Sequence, residues 1–345
     1  MGNLSMSNLG LVSASLAALF LSACTSSLQG PFFPSEASSK GLSALQYSFV
    51  FSIFELVSFL ASFPMVKLMN IFGYKIVTVW STVLLGFSVT LFGWFYYVKN
   101  STVFFFSCLF GRTIEAVGSS GLTTGIMTIS ASHFPDTGIF VIALTETSYG
   151  LGFVFGPSIS GPIYDKWGYI GPFLTVGLVI YIFAILLVCV LPKDEQNIIE
   201  SDSETRSSAG ITDILKVKRL WYGIPVLGSC AISGTMLMTF MGPHLQNYNF
   251  SASEISELLS VLGVSYGVGT LISGWLCYKY CKPHHAMALG SLLSILGFCS
   301  IGPLPFLKTE LTLWEVIVGI FLIGLGMAAQ SLPSFFFIKQ VRKNH

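Results

Sequence analysis

The sequence predicts an all-α, polytopic membrane protein of ten spans, and three observations predict it. Hydrophobic residues make up 53% of the 345-residue chain and charged residues only 10%, against about 25% charged in soluble proteins. Apolar runs long enough to cross a bilayer recur with short polar breaks between them. Lys and Arg also fall unevenly across alternate breaks, as they do in multi-spanning proteins. The 30 Phe and 34 Gly suit a bundle of lipid-facing, closely approaching helices. The net charge of +1 singles out no partner.

The first span covers 9–30. Leu21-Ser22-Ala23-Cys24 within it matches a lipoprotein cleavage box. Such a signal needs a basic leader, and the first Lys or Arg is Lys40, so the segment reads as a span. After the turn residues Phe33-Pro34-Ser35-Glu36 come spans at 44–66, 76–98, 102–130, 138–163 and 170–191. Residues 192–219 are a Ser-rich, acidic linker ending in a basic cluster, the composition of an exposed tether. Spans at 220–243, 255–277, 285–306 and 312–337 follow. The chain therefore divides into a six-helix half at 1–191, a linker at 192–219 and a four-helix half at 220–345.

With the N-terminus cytosolic, the inner segments hold twelve of the 17 Lys and Arg, from Lys67 and Lys75 to Lys343. The outer segments hold four, Lys40, Lys99, Lys166 and Lys308, and Arg112 lies within a span. This bias predicts that both termini and the linker are cytosolic.

The stretch from Phe104 to Gly161 carries the chemistry. Two spans joined by Ser132-His133-Phe134-Pro135-Asp136-Thr137 hold Arg112, Glu115 and Glu146 in apolar surroundings. An ionisable group at bilayer depth costs at least ~2.5–3.5 kcal/mol, so it faces a partner or an aqueous path. Arg112 keeps its charge in any setting, and three such groups in adjacent spans predict a translocation route. Glu115, three residues on, shares its helix face; it reads equally as counter-ion or as part of the pathway. Glu146 is a candidate proton carrier, because removal from water disfavours a charged carboxylate. Glu55 lies ~16 Å into its helix at 1.5 Å per residue, again near mid-membrane. Four groups that are net acidic suit an organic cation exchanged for protons. His133 and His244 read as interfacial residues, and Tyr149 and Tyr266 as packing residues unless one stacks on a cation.

The ladder Gly152, Gly156, Pro157, Gly161 after Glu146 allows close helix packing and a kink. Seven Cys are scattered without a CxxC or a zinc-like spacing, and no nucleophile elbow or phosphate loop occurs. Neither a cofactor nor an enzymatic activity is expected. Gln29-Gly30-Pro31-Phe32 is echoed by Met241-Gly242-Pro243-His244, and Gly118-Ser119-Ser120-Gly121 by Gly326-Met327-Ala328-Ala329. Such echoes point to two related halves.

These residues carry a resemblance. Pro64 to Lys75 resembles the loop motif of the major facilitator superfamily, with Leu68, Gly73 and Lys75 in place and Val66, Asn70, Ile71 and Tyr74 departing from it. Arg112 followed by Gly118 resembles that superfamily's Arg–Gly motif on the fourth helix. The Gly152 ladder resembles its antiporter motif, and Gly274-x-Leu276-x-Tyr278-Lys279 repeats the loop motif. Within the superfamily the chain is most similar to the vesicular amine and polyamine transporters. Gln29 to Pro34, Phe54-Glu55-Leu56, Glu146-Thr147, Gly150-Leu151-Gly152 and Gly168-Tyr169 with Pro172-Phe173 carry that likeness. The monoamine carriers' acid in the first helix is absent; Cys24, Thr25 and Ser26 stand there.

The resemblance implies a twelve-helix fold of two bundles, of which the chain holds a complete first bundle and four helices of the second. It also implies a proton-coupled antiporter moving polyamines or amines into vesicles, with Arg112, Glu115, Glu146 and Glu55 on the pathway. Gly73, Lys75, Gly152, Gly156, Pro157 and Gly161 are then gating or packing residues. An organic-anion or drug exporter is the rival within transport, since Arg112 suits an anion. A shortened, non-transporting form is the rival of another class.

Overall fold

Among the described residues ten long helices occupy the apolar runs, because a backbone withdrawn from water must satisfy its polar groups within its own segment. A computed structural model describes residues 6–134, 138–192, 220–246, 252–302 and 312–343. Helix α1 is Met6–Ser27, α2 Phe33–Ser39, α3 Ala44–Phe72, α4 Tyr74–Trp94, α5 Ser101–His133, α6 Gly138–Trp167 and α7 Ile170–Val190. After the linker, α8 is Leu220–Gln246, α9 Ala252–Lys279, α10 Pro283–Ile301 and α11 Leu313–Lys343. Eight helices among the described residues are long and apolar enough to cross a membrane. The other two long ones, α5 and α6, carry Arg112, Glu115 and Glu146.

The turn expected at Phe33–Glu36 is instead the start of the short helix α2. Pro34 in its first turn lacks only an amide hydrogen that would have no helical acceptor, and Glu36 favours the positive end of the helix. Several helices outrun the expected spans: α3 continues to Phe72, α6 to Trp167 and α11 to Lys343. Pro64, Pro157, Pro162 and Pro333 all lie within helices. Most of the 192–219 linker, Pro135 to Thr137 of the expected turn and the end of the 285–306 span lie outside the described residues.

Two units are present. The first comprises residues 1–145 and 155–194, the second 146–154 and 195–345. In the first, α3 begins at a capping box in which Ser43 and Gln46 satisfy each other's backbone amides. It ends at Gly73, whose φ of 91° and ψ of 151° let a single residue separate α3 from α4; that conformation is almost confined to glycine. Lys75 donates to the Leu191 carbonyl at 2.8 Å, covering a free acceptor at the end of α7. Gly118 brings α5 onto α4: a Cβ there would lie 2.7 Å from the Leu85 amide nitrogen and 2.9 Å from the Ser81 carbonyl. Gly156 does the same for α6 against α1, with the Cys24 carbonyl at 2.7 Å, whereas nothing lies within 4 Å at Gly161.

The second unit repeats the device. Gly290 and Gly297 of α10 meet Gly326 and Gly319 of α11, and a Cβ on any of the four would lie 2.6–2.9 Å from the facing glycine's carbonyl. Small residues at seven-residue spacing thus set backbone against backbone, the main route to tight association where lipid removes the hydrophobic drive. Leu237, Met241, Leu258, Leu262, Val316, Ile320 and Ile323 close the core beside this seam. On the outside, large apolar residues such as Trp80, Ile185 and Ile295 are exposed, as a lipid-facing surface requires.

Candidate functional site

Arg112 and Glu115 lie three residues apart on α5 and are both fully buried. Nη1 of Arg112 donates to both carboxylate oxygens of Glu115, at 3.1 and 3.0 Å. Nη2 reaches the Ser26 carbonyl of α1 at 3.5 Å. The guanidinium fork is therefore divided between a carboxylate and a backbone. Its plane is held by Phe51 and Phe54 of α3, whose ring centroids each lie 5.3 Å from the guanidinium carbon, a cation–π geometry strengthened by desolvation. Gln29, just beyond α1, completes the cluster by donating to Glu115 at 3.5 Å. Gln29 Oε1 and Arg112 Nε are buried without a hydrogen-bond partner among the described residues.

This cluster balances its own charge. Burying either ion alone would be costly, and the pair is tolerable because each satisfies the other. Around it the α1–α5 contact is polar: Ser22 and Ser119 hydroxyls meet at 2.8 Å, and Ser15 and Ser130 at 3.3 Å. Ser58 of α3 donates to the Ala116 carbonyl at 3.4 Å.

Glu146 sits elsewhere, in the stretch of α6 that belongs to the second unit. It is half-buried, and its Oε2 accepts from the Tyr266 hydroxyl of α9 at 3.2 Å. Tyr266 in turn lies 3.1 Å from the Ser331 hydroxyl of α11. The Thr147 hydroxyl, next to Glu146 on α6, meets that of Thr270, one turn beyond Tyr266 on α9, at 2.8 Å. Gly150 makes room for this arrangement, since a Cβ there would come within 2.2 Å of the Tyr266 ring. Among the described residues Glu146 forms no ion pair.

The four ionisable residues expected on the pathway differ in their surroundings. Arg112 and Glu115 pair, Glu146 bonds a neutral phenol, and Glu55 is exposed on α3 without an ion pair among the described residues. Among the described residues no group of three or more His, Cys, Asp or Glu side chains is placed to hold a metal ion. Gln29, Phe51, Phe54, Gly150 and Ser331 are site residues that spacing alone did not single out. For Gln29, Phe51, Phe54 and Ser331 the signal was present only as buried polar or aromatic residues in other segments of the chain.

Comparison with known proteins places this architecture. The sequence model of the Major Facilitator Superfamily matches residues 15–343. The chain belongs to that superfamily. It is 29% identical over 313 residues to the MFS-type transporter SLC18B1 of Homo sapiens, covering 90% of this chain and 66% of that protein. The same-named protein of Rattus norvegicus is 26% identical over 317 residues, covering 90% and 67%. The chain therefore spans about two thirds of the length of these relatives, which are transporters and not enzymes. Among solved structures, a bacterial homologue of the human lysosomal transporter Spinster, in an inward-facing and occupied conformation, aligns with a TM-score of 0.68 at 15% identity. That alignment covers 96% of this chain and 77% of the other. A D-xylose–proton symporter aligns with a TM-score of 0.68 at 13% identity, over 97% and 87%. Both share the major facilitator fold with this chain, as a multi-pass helical membrane protein.

Proposed function

We propose that the chain acts as a proton-coupled antiporter, moving organic cations of the amine or polyamine class into intracellular vesicles by alternating access. The observation that carries this reading is Glu146: a half-buried carboxyl whose side-chain partner is a phenol, with no cation paired to it among the described residues. Such a group is free to hold either a proton or an ammonium, and the two compete for it. Arg112 is neutralised by Glu115, so the cation site in this reading falls to Glu146. The same neutralisation weighs against an organic-anion exporter, for which Arg112 would have to be available. The likeness to SLC18B1 and the sequence resemblance to vesicular amine carriers support the substrate class.

The protein reconstituted in liposomes with an acidic lumen is expected to accumulate a polyamine, and to lose that accumulation when nigericin collapses the pH gradient. Accumulation of an organic anion in preference to polyamines and monoamines overturns the substrate class. Inserted protein that accumulates none of the three overturns the transport reading and favours a non-transporting form.

Both termini and the 192–219 linker lie on the cytosolic side in this reading, which the twelve-to-four distribution of Lys and Arg supports. A tag inserted at 195–210 is expected to be cleaved by protease added to intact, right-side-out vesicles. A protected tag reverses the orientation.

A further inference from the structure

Glu146, Tyr266 and Ser331 form a hydrogen-bond chain across three helices, and the chain has two fully bonded arrangements. Tyr266 donates to Glu146 Oε2 at 3.2 Å, and either hydroxyl can donate across the 3.1 Å between Tyr266 and Ser331. A phenol has one hydrogen. While Tyr266 gives it to an ionised Glu146, Ser331 must donate to Tyr266. Ser331 has a second acceptor in reach, the Ala328 carbonyl at 3.4 Å on its own helix.

We infer that Tyr266 and Ser331 are positioning residues that report the proton load of Glu146 to α11 by reversing the direction of this chain. When Glu146 takes a proton from water, its new O–H donates to the Tyr266 oxygen. Tyr266 then turns its hydrogen to Ser331, and Ser331 turns its own to the Ala328 carbonyl. No proton passes between the three side chains; each O–H rotates, and only the incoming proton is added. The heavy atoms need not move for either arrangement to be complete, and neither arrangement leaves a buried donor idle, which at this depth would be costly.

Three features of the structure fit this role. Gly150, one turn beyond Glu146, is the space into which the Tyr266 ring fits. Other titratable groups around the chain among the described residues are Cys230 of α8 and Tyr149 of α6 itself, both neutral in their ordinary forms. α11 contributes the uncharged Ser331. Lastly, Ala328 and Ser331 flank Ala329, where α11 packs against Gly290 of α10, and a Cβ on Gly269 of α9 would touch Ala328 at 2.7 Å. The far end of the chain therefore lies where α11 packs closely against both α9 and α10.

The inference rests on the reading of Glu146 as the proton carrier, and infrared difference spectroscopy separates the two. The full chain in lipid is taken through a pH titration, and the carboxyl C=O band that is lost in Glu146→Gln is assigned to Glu146. Tyr266→Phe, which keeps the ring, is expected to displace that band. Ser331→Ala is expected to displace it by a smaller amount, because it removes only the second link. A Glu146 band at the same position in wild type and both variants overturns the relay while leaving Glu146 as the proton carrier. A band moved by Tyr266→Phe but unmoved by Ser331→Ala overturns the reversal, reducing Tyr266 to a local partner. If no carboxyl band depends on Glu146 at any pH, the reading of Glu146 as proton carrier fails, and the relay with it.

Discussion

Arg112→Ala is expected to lower folding stability by about 3–5 kcal/mol, the usual penalty for stranding one member of a buried ion pair. The carboxylate of Glu115 is fully buried and receives both of its 3.0–3.1 Å hydrogen bonds from Arg112. The only other side-chain donor to it among the described residues is Gln29, at 3.5 Å. Removing the guanidinium also unpacks the space between Phe51 and Phe54. Adding Glu115→Gln to Arg112→Ala removes the stranded charge and should recover part of the loss, a coupling of about 0.5–3 kcal/mol for directly interacting residues. Arg112→Lys separates charge from shape. An ammonium can meet Glu115, but it cannot also reach the Ser26 carbonyl or lie flat against two rings, so an intermediate loss is expected. Melting of the detergent-solubilised variants, followed by the fraction that remains monodisperse, reads all three. A double variant no more stable than the sum of its singles would show that Arg112 and Glu115 act independently.

The spans were legible because a membrane helix is written in its own sequence: about twenty apolar residues suffice. The Arg112–Glu115 pair was legible for a similar reason, since residues three apart on a helix are neighbours. What surrounds the pair was not. Gln29 comes from the end of another helix, and Phe51 and Phe54 from a third, with no local spacing to join them. Glu55 is the instructive case. Depth alone suggested it for the pathway; Phe51, Phe54, Ala61 and Met65 are among the buried residues of α3, and Ser58 between them reaches α5. Their three-and-four spacing marks one helix face, and Glu55 lies a step of about 100° from Phe54 by the 3.6-residue period. Reading the face as well as the depth would have shown that Glu55 lies off the buried face of α3 that packs against α5.

The glycines divide in the same way. Gly118 and Gly326 were noticed as echoes, and in each unit they are the points at which a long helix meets its predecessor backbone to backbone. The Gly152 ladder looked uniform in sequence. In the structure Gly156 is wedged against α1 while Gly161 faces open space, a distinction set by neighbours distant in sequence. Gly150 was quoted only as part of a resemblance. Its role depends on Tyr266, more than a hundred residues later, and no window of sequence contains both.

Glu146→Gln is expected to reduce uptake driven by the pH gradient to the level of empty liposomes, and this is the largest functional effect anticipated. The substitution keeps the size of the side chain and its ability to bond Tyr266, through either the amide oxygen or the amide nitrogen. It removes the capacity to exchange a proton. If Glu146 carries the coupled proton, the variant is locked in an imitation of the loaded state, so the step that requires proton release cannot be completed. Exchange of labelled for unlabelled substrate across the membrane needs no net proton movement and should survive at a measurable rate. The paired measurements therefore separate coupling from folding: a collapsed protein loses both, whereas an uncoupled one loses only gradient-driven uptake. Normal dependence on the gradient in Glu146→Gln, at matched protein incorporation, would remove Glu146 from the coupling mechanism. Glu55 would then be the carboxyl to test, being exposed on α3 and outside any ion pair among the described residues.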